Sequence, residues 1–214
     1  GLGGNIGKSF ARQVAEENYD YYVLELSSFQ LENMYSFKAD IAILLNITPD
    51  HLDRYDHDMQ KYVDAKMRIV QNQTEEDAFI FWEEDPIVSE EIKKLVSSGK
   101  QYTFAEYKTG DAIAYSDNNQ IVINTLNSEF SMELELLALE GTHNLYNSLA
   151  SGIAAKLLDI TDENLRKSLS DFQGVEHRLE KVAKVRGIQF INDSKATNVN
   201  SCWYALQSMP TKTV

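Results

Sequence analysis

Apolar runs and amphipathic periodicities alternate along the chain, and this alternation predicts an α/β fold. Residues 21–26 and 41–47 are nearly continuous apolar runs rich in aromatic and β-branched side chains, which is typical of strands buried on both faces of a parallel sheet. Shorter strands are predicted near 78–82 and 101–104. Helical spacing of apolar positions predicts helices at 8–18, 56–72, 86–97, 143–158 and 162–171. We therefore expect a mostly parallel, open sheet flanked by helices.

Residues 111–136 follow a different pattern. Apolar residues alternate with polar ones on both sides of an Asp-Asn-Asn sequence at 117–119. Asparagine and aspartate favour the tight turns that connect antiparallel strands. The segment therefore predicts a β-hairpin inserted into the α/β fold.

A domain boundary is predicted at 172–175. It divides the chain into a first domain at 1–175 and a second α/β unit at 176–214, which a strand pair at 181–185 and 188–192 would open. The sequence leaves that unit unfinished and begins within a glycine-rich segment. We therefore expect the chain to be a piece of a longer protein, with a truncated second α/β domain.

Composition narrows the classes of function. The 214 residues include 20 lysines and arginines against 33 aspartates and glutamates, a formal net charge of −13. This charge opposes non-specific binding to nucleic acids and anionic membrane surfaces, and no apolar run approaches the roughly 18–20 residues of a membrane-spanning helix. The single cysteine, Cys202, excludes an internal disulfide. We expect a cytoplasmic protein with no nucleic-acid partner and no membrane insertion, in which anionic substrates need local cations.

The glycine-rich opening invites comparison with a phosphate-binding P-loop. Such a loop needs a glycine five residues before its Gly-Lys-Ser, because that turn directs backbone N–H groups at the phosphates. The corresponding position here, five residues before Gly7, is Leu2. The pattern instead predicts a flexible loop that leads into an amphipathic helix.

Polar side chains follow the first two predicted strands, at the sheet edge where ligands bind in open α/β folds. Glu25 ends the first strand; a carboxylate there suits Mg²⁺, and an ion pair or a cap for the next helix is the simpler alternative. Residues 48–55, after the second strand, hold two carboxylates, a guanidinium and the imidazole of His51. This density favours a metal or phosphate site over simple capping by Asp50 or Asp53.

Lys66 interrupts the apolar stripe of the helix predicted at 56–72. The stripe comprises Met59, Tyr62, Val63, Met67 and Val70, and its missing position falls on Lys66. Burial disfavours the ammonium form, so this lysine must pair with an acid, extend its tip to the surface, or become neutral and reactive. A neutral amine can take up CO₂ and form a carbamate, which is an anionic metal ligand.

Two later segments also carry binding chemistry. An uncharged hydrogen-bonding stripe that includes Asn144 and Asn147 lies opposite the apolar face of its helix, which indicates a ligand or a neighbouring domain. Arg178, after the boundary, could contact a phosphate or form a surface ion pair. The strand near 191 then ends in a cluster of an acid, a lysine and a threonine: Asp193, Lys195 and Thr197.

Seven segments, in order, resemble those of the Mur ligases, the ATP-dependent amide ligases of peptidoglycan precursor synthesis. They occupy residues 3–7, 24–32, 46–55, 65–66, 141–147, 177–180 and 192–198. The resemblance covers essentially the whole chain. It is most specific at the last segment, where Asn-Asp-Ser-Lys-Ala-Thr-Asn is typical of the members that add D-glutamate.

The resemblance implies a central ATP-binding domain at 1–175 and the start of a Rossmann-like ligase domain at 176–214. The implied substrates are ATP, D-glutamate and UDP-N-acetylmuramoyl-L-alanine, joined through an acyl phosphate by a monomeric enzyme. Two Mg²⁺ sites are implied, one at Glu25 and one at a carbamylated Lys66 assisted by His51. The remaining implied contacts are with substrates: Asn144, Asn147, Arg178 and Asp193 for ATP, Asn5 and Ser27 for the UDP-muramoyl substrate, and Lys195 and Thr197 for D-glutamate.

Two alternatives stay open. The chain could come from another amide ligase of the Mur or folylpolyglutamate type, with a different amino-acid specificity. It could also be a noncatalytic nucleotide-binding module that keeps the fold without the chemistry. The resemblance places the family's own P-loop before residue 1, so we expect the 214-residue chain alone to be inactive.

Overall fold

The computed structural model describes residues 1–95, 99–125, 128–139, 141–172, 174–209 and 213. Its strands form three sheets, which have two, six and two strands in chain order. The last two residues of the helix predicted at 86–97, and residue 173 of the predicted domain boundary, lie outside the described residues.

The N-terminal segment forms a two-stranded parallel sheet. Strand β1 (Leu2–Gly4) and strand β2 (Val23–Glu25) are connected by helix α1 (Phe10–Glu16), and a short helix, α2 (Ser28–Leu31), follows β2. The expectation of a flexible loop is wrong for residues 2–4, because their backbone pairs with β2.

Strand β2 is also shorter and more exposed than the apolar run at 21–26 predicted. The side chains of Tyr21 and Val23 are 65% and 66% exposed. The prediction of burial on both faces fails because β2 belongs to a separate sheet of two strands, with few elements to cover it.

The first three strands of the six-stranded sheet form two consecutive β-α-β units. Strand β3 (Ile41–Leu44) leads through helix α3 (Met59–Met67) to β4 (Ala78–Trp82), and β4 leads through helix α4 (Pro86–Ile92) to β5 (Lys100–Tyr107). The three strands are parallel neighbours in that order. The predicted parallel sheet is therefore confirmed in this part of the chain.

The sheet continues as an antiparallel meander. Strand β6 (Ala114–Asp117) is parallel to β5, and β7 (Gln120–Thr125) and β8 (Ser128–Glu133) then add in antiparallel order. Asn118 and Asn119 connect β6 to β7 with φ angles of 46° and 64°, as a type I′ turn requires. The predicted hairpin is confirmed, and β8 is a third strand that the sequence analysis missed.

Two helices follow the sheet, and a small hairpin unit ends the chain. Helix α5 (Thr142–Leu157) packs on the sheet and α6 (Asp162–Asp171) packs on α5. The strands of the hairpin and its helix are β9 (Glu180–Val185), β10 (Ile188–Asn192) and α7 (Val199–Gln207). Helix α7 was not predicted. In the described part of the chain, no helix is both long and apolar enough to cross a membrane.

Two apolar cores lie on opposite faces of the main sheet. Strand β4 contributes to both, because successive side chains of a strand point to opposite faces. Phe79 and Phe81 join the core under α3 and α4, whereas Ile80 joins the core under α5. The burial of β4 on both faces explains its continuous apolar sequence.

Candidate functional site

Asn5 and Glu25 meet at the carboxyl ends of β1 and β2. Asn5 Nδ2 donates to Glu25 Oε1 at 2.9 Å, and the Asn5 backbone N–H donates to the Glu25 carbonyl oxygen at 2.7 Å. Gly4 permits this approach: its φ is +102°, and a Cβ there would overlap the Glu25 carbonyl oxygen. The Glu25 side chain is exposed at the sheet edge, where a carboxylate can serve as an oxygen ligand.

Ser27 caps helix α2. Its hydroxyl oxygen accepts from the Gln30 backbone N–H at 3.3 Å, and the Gln30 side chain accepts from the Ser27 backbone N–H at 2.9 Å. This reciprocal pair is a capping box. Ser27, not Glu25, therefore provides the helix cap that the sequence analysis gave as an alternative role for Glu25.

The loop after β3 holds His51 in a left-handed backbone conformation, with φ 51° and ψ 30°. Asp50 Oδ1 accepts from the His51 backbone N–H at 2.9 Å, and the His51 ring lies 5.3 Å from the Phe29 ring between centroids. Neither Asp50 nor Asp53 caps α3, because Asp58 does so by accepting from the Gln60 N–H. The capping alternative for these two carboxylates is therefore wrong.

Asp85 fixes the start of this loop. Its Oδ2 accepts from the Ile47 backbone N–H at 2.9 Å, while its Oδ1 accepts from Ile87 and Val88 as the N-cap of α4. The Asp85 side chain is buried. One carboxylate thus joins the end of the β3 segment to the start of α4. No local sequence pattern marks this role of Asp85, because Ile47 lies 38 residues away.

Lys66 lies on the core side of α3, as its position in the apolar stripe predicted. Its neighbours Val63, Ala65 and Met67 are buried, and its ammonium lies 5.4 Å from the centre of the Tyr62 ring. Burial lowers the pKa of Lys66, and the negative charge of Asp50 partly opposes this shift. The Lys66 side chain is partly exposed, and within the described residues its amine makes no hydrogen bond.

A second group of residues assembles at the N-terminus of α5. Asn144 is buried, and the Asn147 side chain donates to its Oδ1 at 3.4 Å. The pKa of the neighbouring His143 is lowered by burial and by the charge of Arg178, and Asp193 opposes this shift. Arg178 and Asp193 therefore lie close enough to act on α5, and His143 is a residue that the sequence analysis left out of the site.

The segment that contains Lys195 and Thr197 lies against the His51 loop. Both side chains are exposed, while the Lys195 backbone N–H donates to the His177 carbonyl oxygen at 3.1 Å. The next side chain along, Asn198, donates from Nδ2 to Asp50 Oδ2 at 3.3 Å. The structure thus brings one loop of the second predicted domain, near residue 198, to the loop after β3.

Most of the candidate residues form three local groups. One contains Asn5 and Glu25, a second contains Asp50, His51, Lys66 and Asn198, and a third contains His143, Asn144, Asn147, Arg178 and Asp193. In the described part of the chain, no hydrogen bond or ion pair joins Glu25 to the second group, and no cluster of three His, Cys, Asp or Glu side chains could hold a metal. The metal sites therefore stay predictions.

The fold is an α/β domain in which polar groups lie at the carboxyl ends of β2 and β3 and at the start of α5. The carboxyl ends of the strands are where ligands bind in open α/β sheets. The profile of the Mur ligase middle domain matches residues 6–155. The chain belongs to the Mur ligase family, so the resemblance and the fold class inferred from the sequence are confirmed.

Relatives and solved structures agree with this assignment. The chain is 68% identical over 214 residues to the UDP-N-acetylmuramoylalanine--D-glutamate ligase of Bacteroides fragilis, and the match covers all of this chain and 48% of that protein. The chain thus spans about half the length of the curated relatives it matches.

Two solved structures share the fold at lower identity. MurF from Acinetobacter baumannii has a TM-score of 0.70 at 20% identity, covering 90% of this chain and 43% of that one. MurF from Thermotoga maritima in complex with ADP has a TM-score of 0.65 at 20% identity, covering 90% of this chain and 47% of that one.

Proposed function

We propose that this chain is the ATP- and metal-binding part of an ADP-forming ligase that joins D-glutamate to UDP-N-acetylmuramoyl-L-alanine. The name of the Bacteroides fragilis relative supports the substrates, and the ADP complex of the Thermotoga maritima relative supports the nucleotide. Lys66 is the observation that carries the proposal. A lysine held on the core side of a helix without an ionic partner among the described residues is costly for a fold, and a catalytic role accounts for it.

The surroundings of Lys66 fit a carbamate. Burial lowers its pKa, so a larger share of the amine is neutral than at a surface lysine. The neutral nitrogen would add to the carbon of CO₂ and lose one proton, which leaves an anionic group with two oxygens suited to Mg²⁺. His51 would complete this site, and Glu25 would hold a second Mg²⁺. Bound Mg²⁺ would neutralise charge on the phosphate being transferred.

The reaction would consist of two transfers. A carboxylate oxygen of the UDP-muramoyl substrate attacks the γ-phosphorus of ATP, and ADP leaves. The amine of D-glutamate then attacks the carbon of the resulting acyl phosphate, and phosphate leaves. Because the substrates are all anionic and the chain carries a net charge of −13, positioning by local cations and amides is the main task of the protein.

The polar groups of the site are suited to these tasks. Asn144 and Asn147, near Arg178 and Asp193, would bind the nucleotide. Asn5 and Ser27 would contact the UDP-muramoyl substrate. The exposed Lys195 and Thr197 side chains would receive a carboxylate of D-glutamate, for which an ammonium and a hydroxyl are suitable partners.

The test is phosphate release by the full-length protein that contains this sequence. With ATP, Mg²⁺ and UDP-N-acetylmuramoyl-L-alanine present, we expect release with D-glutamate and none above background with L-lysine, diaminopimelate or L-alanine. Release with one of the other amino acids would indicate a different ligase of the family. Nucleotide binding without any release would indicate a noncatalytic module.

Variants of α3 test the role of Lys66. Lys66→Ala should lower kcat more than 100-fold, because the metal-holding group is lost. Lys61→Ala is the matched control: Lys61 lies on the exposed side of the same helix and pairs with Asp56 at 2.6 Å, so kcat should stay within about twofold. Independently, ¹³CO₂ should give a carbamate carbon resonance in the native protein that Lys66→Ala lacks. Full activity of Lys66→Ala would refute the assignment.

A further inference from the structure

The proposed chemistry gives no role to Asp50 or Asn198. Their contact nevertheless joins the loop that carries His51 to the segment that carries Lys195 and Thr197. We propose that these two side chains form a clasp that positions segment 195–198 against the loop that carries His51. The catalytic consequence rests on the proposed function, and the contact itself can be tested without it.

The clasp is a hydrogen bond between residues 148 positions apart in the sequence. Asn198 Nδ2 donates to Asp50 Oδ2 at 3.3 Å. The same side chain makes a second hydrogen bond: Asn198 Oδ1 accepts from the Ser201 backbone N–H at 2.9 Å and is the N-cap of α7. One side chain thereby ties the start of α7 to the loop after β3.

Asp50 connects this contact to the reactive side of the site. Its Oδ1 accepts from the His51 N–H at 2.9 Å, and its Oδ2 lies 3.7 Å from His51 Nε2. Its charge also reaches Lys66 on α3. The Asp50 carboxylate is held in place by the His51 backbone N–H. The hydrogen bond from the Asn198 amide therefore fixes the distance between the His51 loop and the start of α7.

The residues just before Asn198 are the ones the clasp would place. The backbone N–H of Lys195 donates to the His177 carbonyl at 3.1 Å and that of Ala196 to the Asp193 carbonyl at 3.0 Å. These bonds hold the backbone of segment 195–198 against the rest of the hairpin unit. The Lys195 and Thr197 side chains stay exposed. The clasp determines how far these side chains stand from His51. Asn198 is thus a positioning residue for the amino-acid substrate.

Exchange of the donor and the acceptor tests the clasp in the full-length protein. Asn198→Asp keeps an N-cap oxygen, because aspartate caps as well as asparagine, but it loses the donor and places two carboxylates together. We expect kcat/KM for D-glutamate to fall at least tenfold while KM for ATP changes less than twofold. The double variant Asp50→Asn with Asn198→Asp restores a donor and an acceptor in reversed positions. It should be at least fivefold more active than Asn198→Asp alone.

The double variant separates the clasp from a structural role. The comparison also needs the single variant Asp50→Asn. If the losses in kcat/KM of the two single variants simply multiply in the double variant, the residues do not interact and the proposal is wrong. The proposal would also be overturned if Asn198→Asp raised KM for ATP by the same factor by which it lowers kcat/KM for D-glutamate. The substitution would then have disturbed the whole site.

Cross-linking tests the contact independently of any activity. In a Cys202→Ser background, cysteines at positions 50 and 198 should be joined by mild oxidation or a short bis-thiol reagent. A control with Asp50→Cys and Lys184→Cys, on the exposed strand β9, should not be joined. Equal yields for the two pairs would refute the clasp. If the native protein released no phosphate with D-glutamate, the proposed function would fail, and the cross-link would still decide the contact.

Discussion

Asp85 should contribute far more to stability than an ordinary helix cap. Replacing it with alanine removes the N-cap of α4, which costs about 0.5–2 kcal/mol. It also leaves the buried Ile47 N–H without its acceptor, a penalty of about 1–3 kcal/mol. We therefore expect Asp85→Ala to lower the free energy of unfolding by about 1.5–5 kcal/mol and the melting temperature by about 3–20 °C.

Urea unfolding, followed by far-UV circular dichroism, measures this loss. Asp58→Ala is the matched control, since Asp58 caps the exposed start of α3 through the Gln60 N–H at 2.9 Å. Among the described residues its carboxylate accepts from no backbone N–H of another loop, as that of Asp85 does from Ile47. It should cost about 1 kcal/mol. Asp85→Asn keeps one acceptor oxygen and should fall between the two. If Asp85→Ala cost no more than Asp58→Ala, the bond to Ile47 would not stabilise the loop as argued.

Two further variants address other parts of the fold. Gly4→Ala should destabilise the protein by more than about 2 kcal/mol, because positive φ disfavours a side chain and a Cβ would overlap the Glu25 carbonyl oxygen. Gly187→Ala, also at positive φ but with nothing within 4 Å of its Cβ, should cost about 1 kcal/mol; equal thermal shifts would contradict the role of the contact. Lys38→Met removes the partner that holds the pKa of Asp77 below its usual range. That stabilisation is present above the unfolded pKa of about 3.9 and is lost as the pH falls through the folded pKa, so the difference in melting temperature from the native protein should shrink below about pH 4. A difference independent of pH would argue against the pair.

The sequence predicted the fold and the site best where the local spacing of apolar residues shows which positions are buried. Lys66 could be recognised because the helical period defines which positions face the core, and an amine at such a position stands out. The strands of the main sheet could be recognised for a similar reason, since β4 is buried on both faces and therefore apolar throughout.

Contacts between distant residues could not be predicted in this way. Asp50 and Asn198 each look like ordinary turn or cap residues, and only the fold shows that they meet. The same holds for Asp85 and Ile47, which lie 38 residues apart. Helix α7 was missed although its sequence is amphipathic: Val199, Cys202, Trp203 and Leu206 have helical spacing, and in the structure they share one exposed face.

Strand β8 forms one edge of the main sheet, and its composition bears on self-association. An unprotected edge offers free backbone groups to a strand of another molecule. Here Arg166 of α6 donates to the Ser131 carbonyl oxygen at 2.7 Å, and the side chains of Glu129 and Glu133 are exposed along the strand. A second copy approaching in register would have to displace the arginine and bring like charges together. The meander therefore ends the sheet in a form that discourages intermolecular strand pairing.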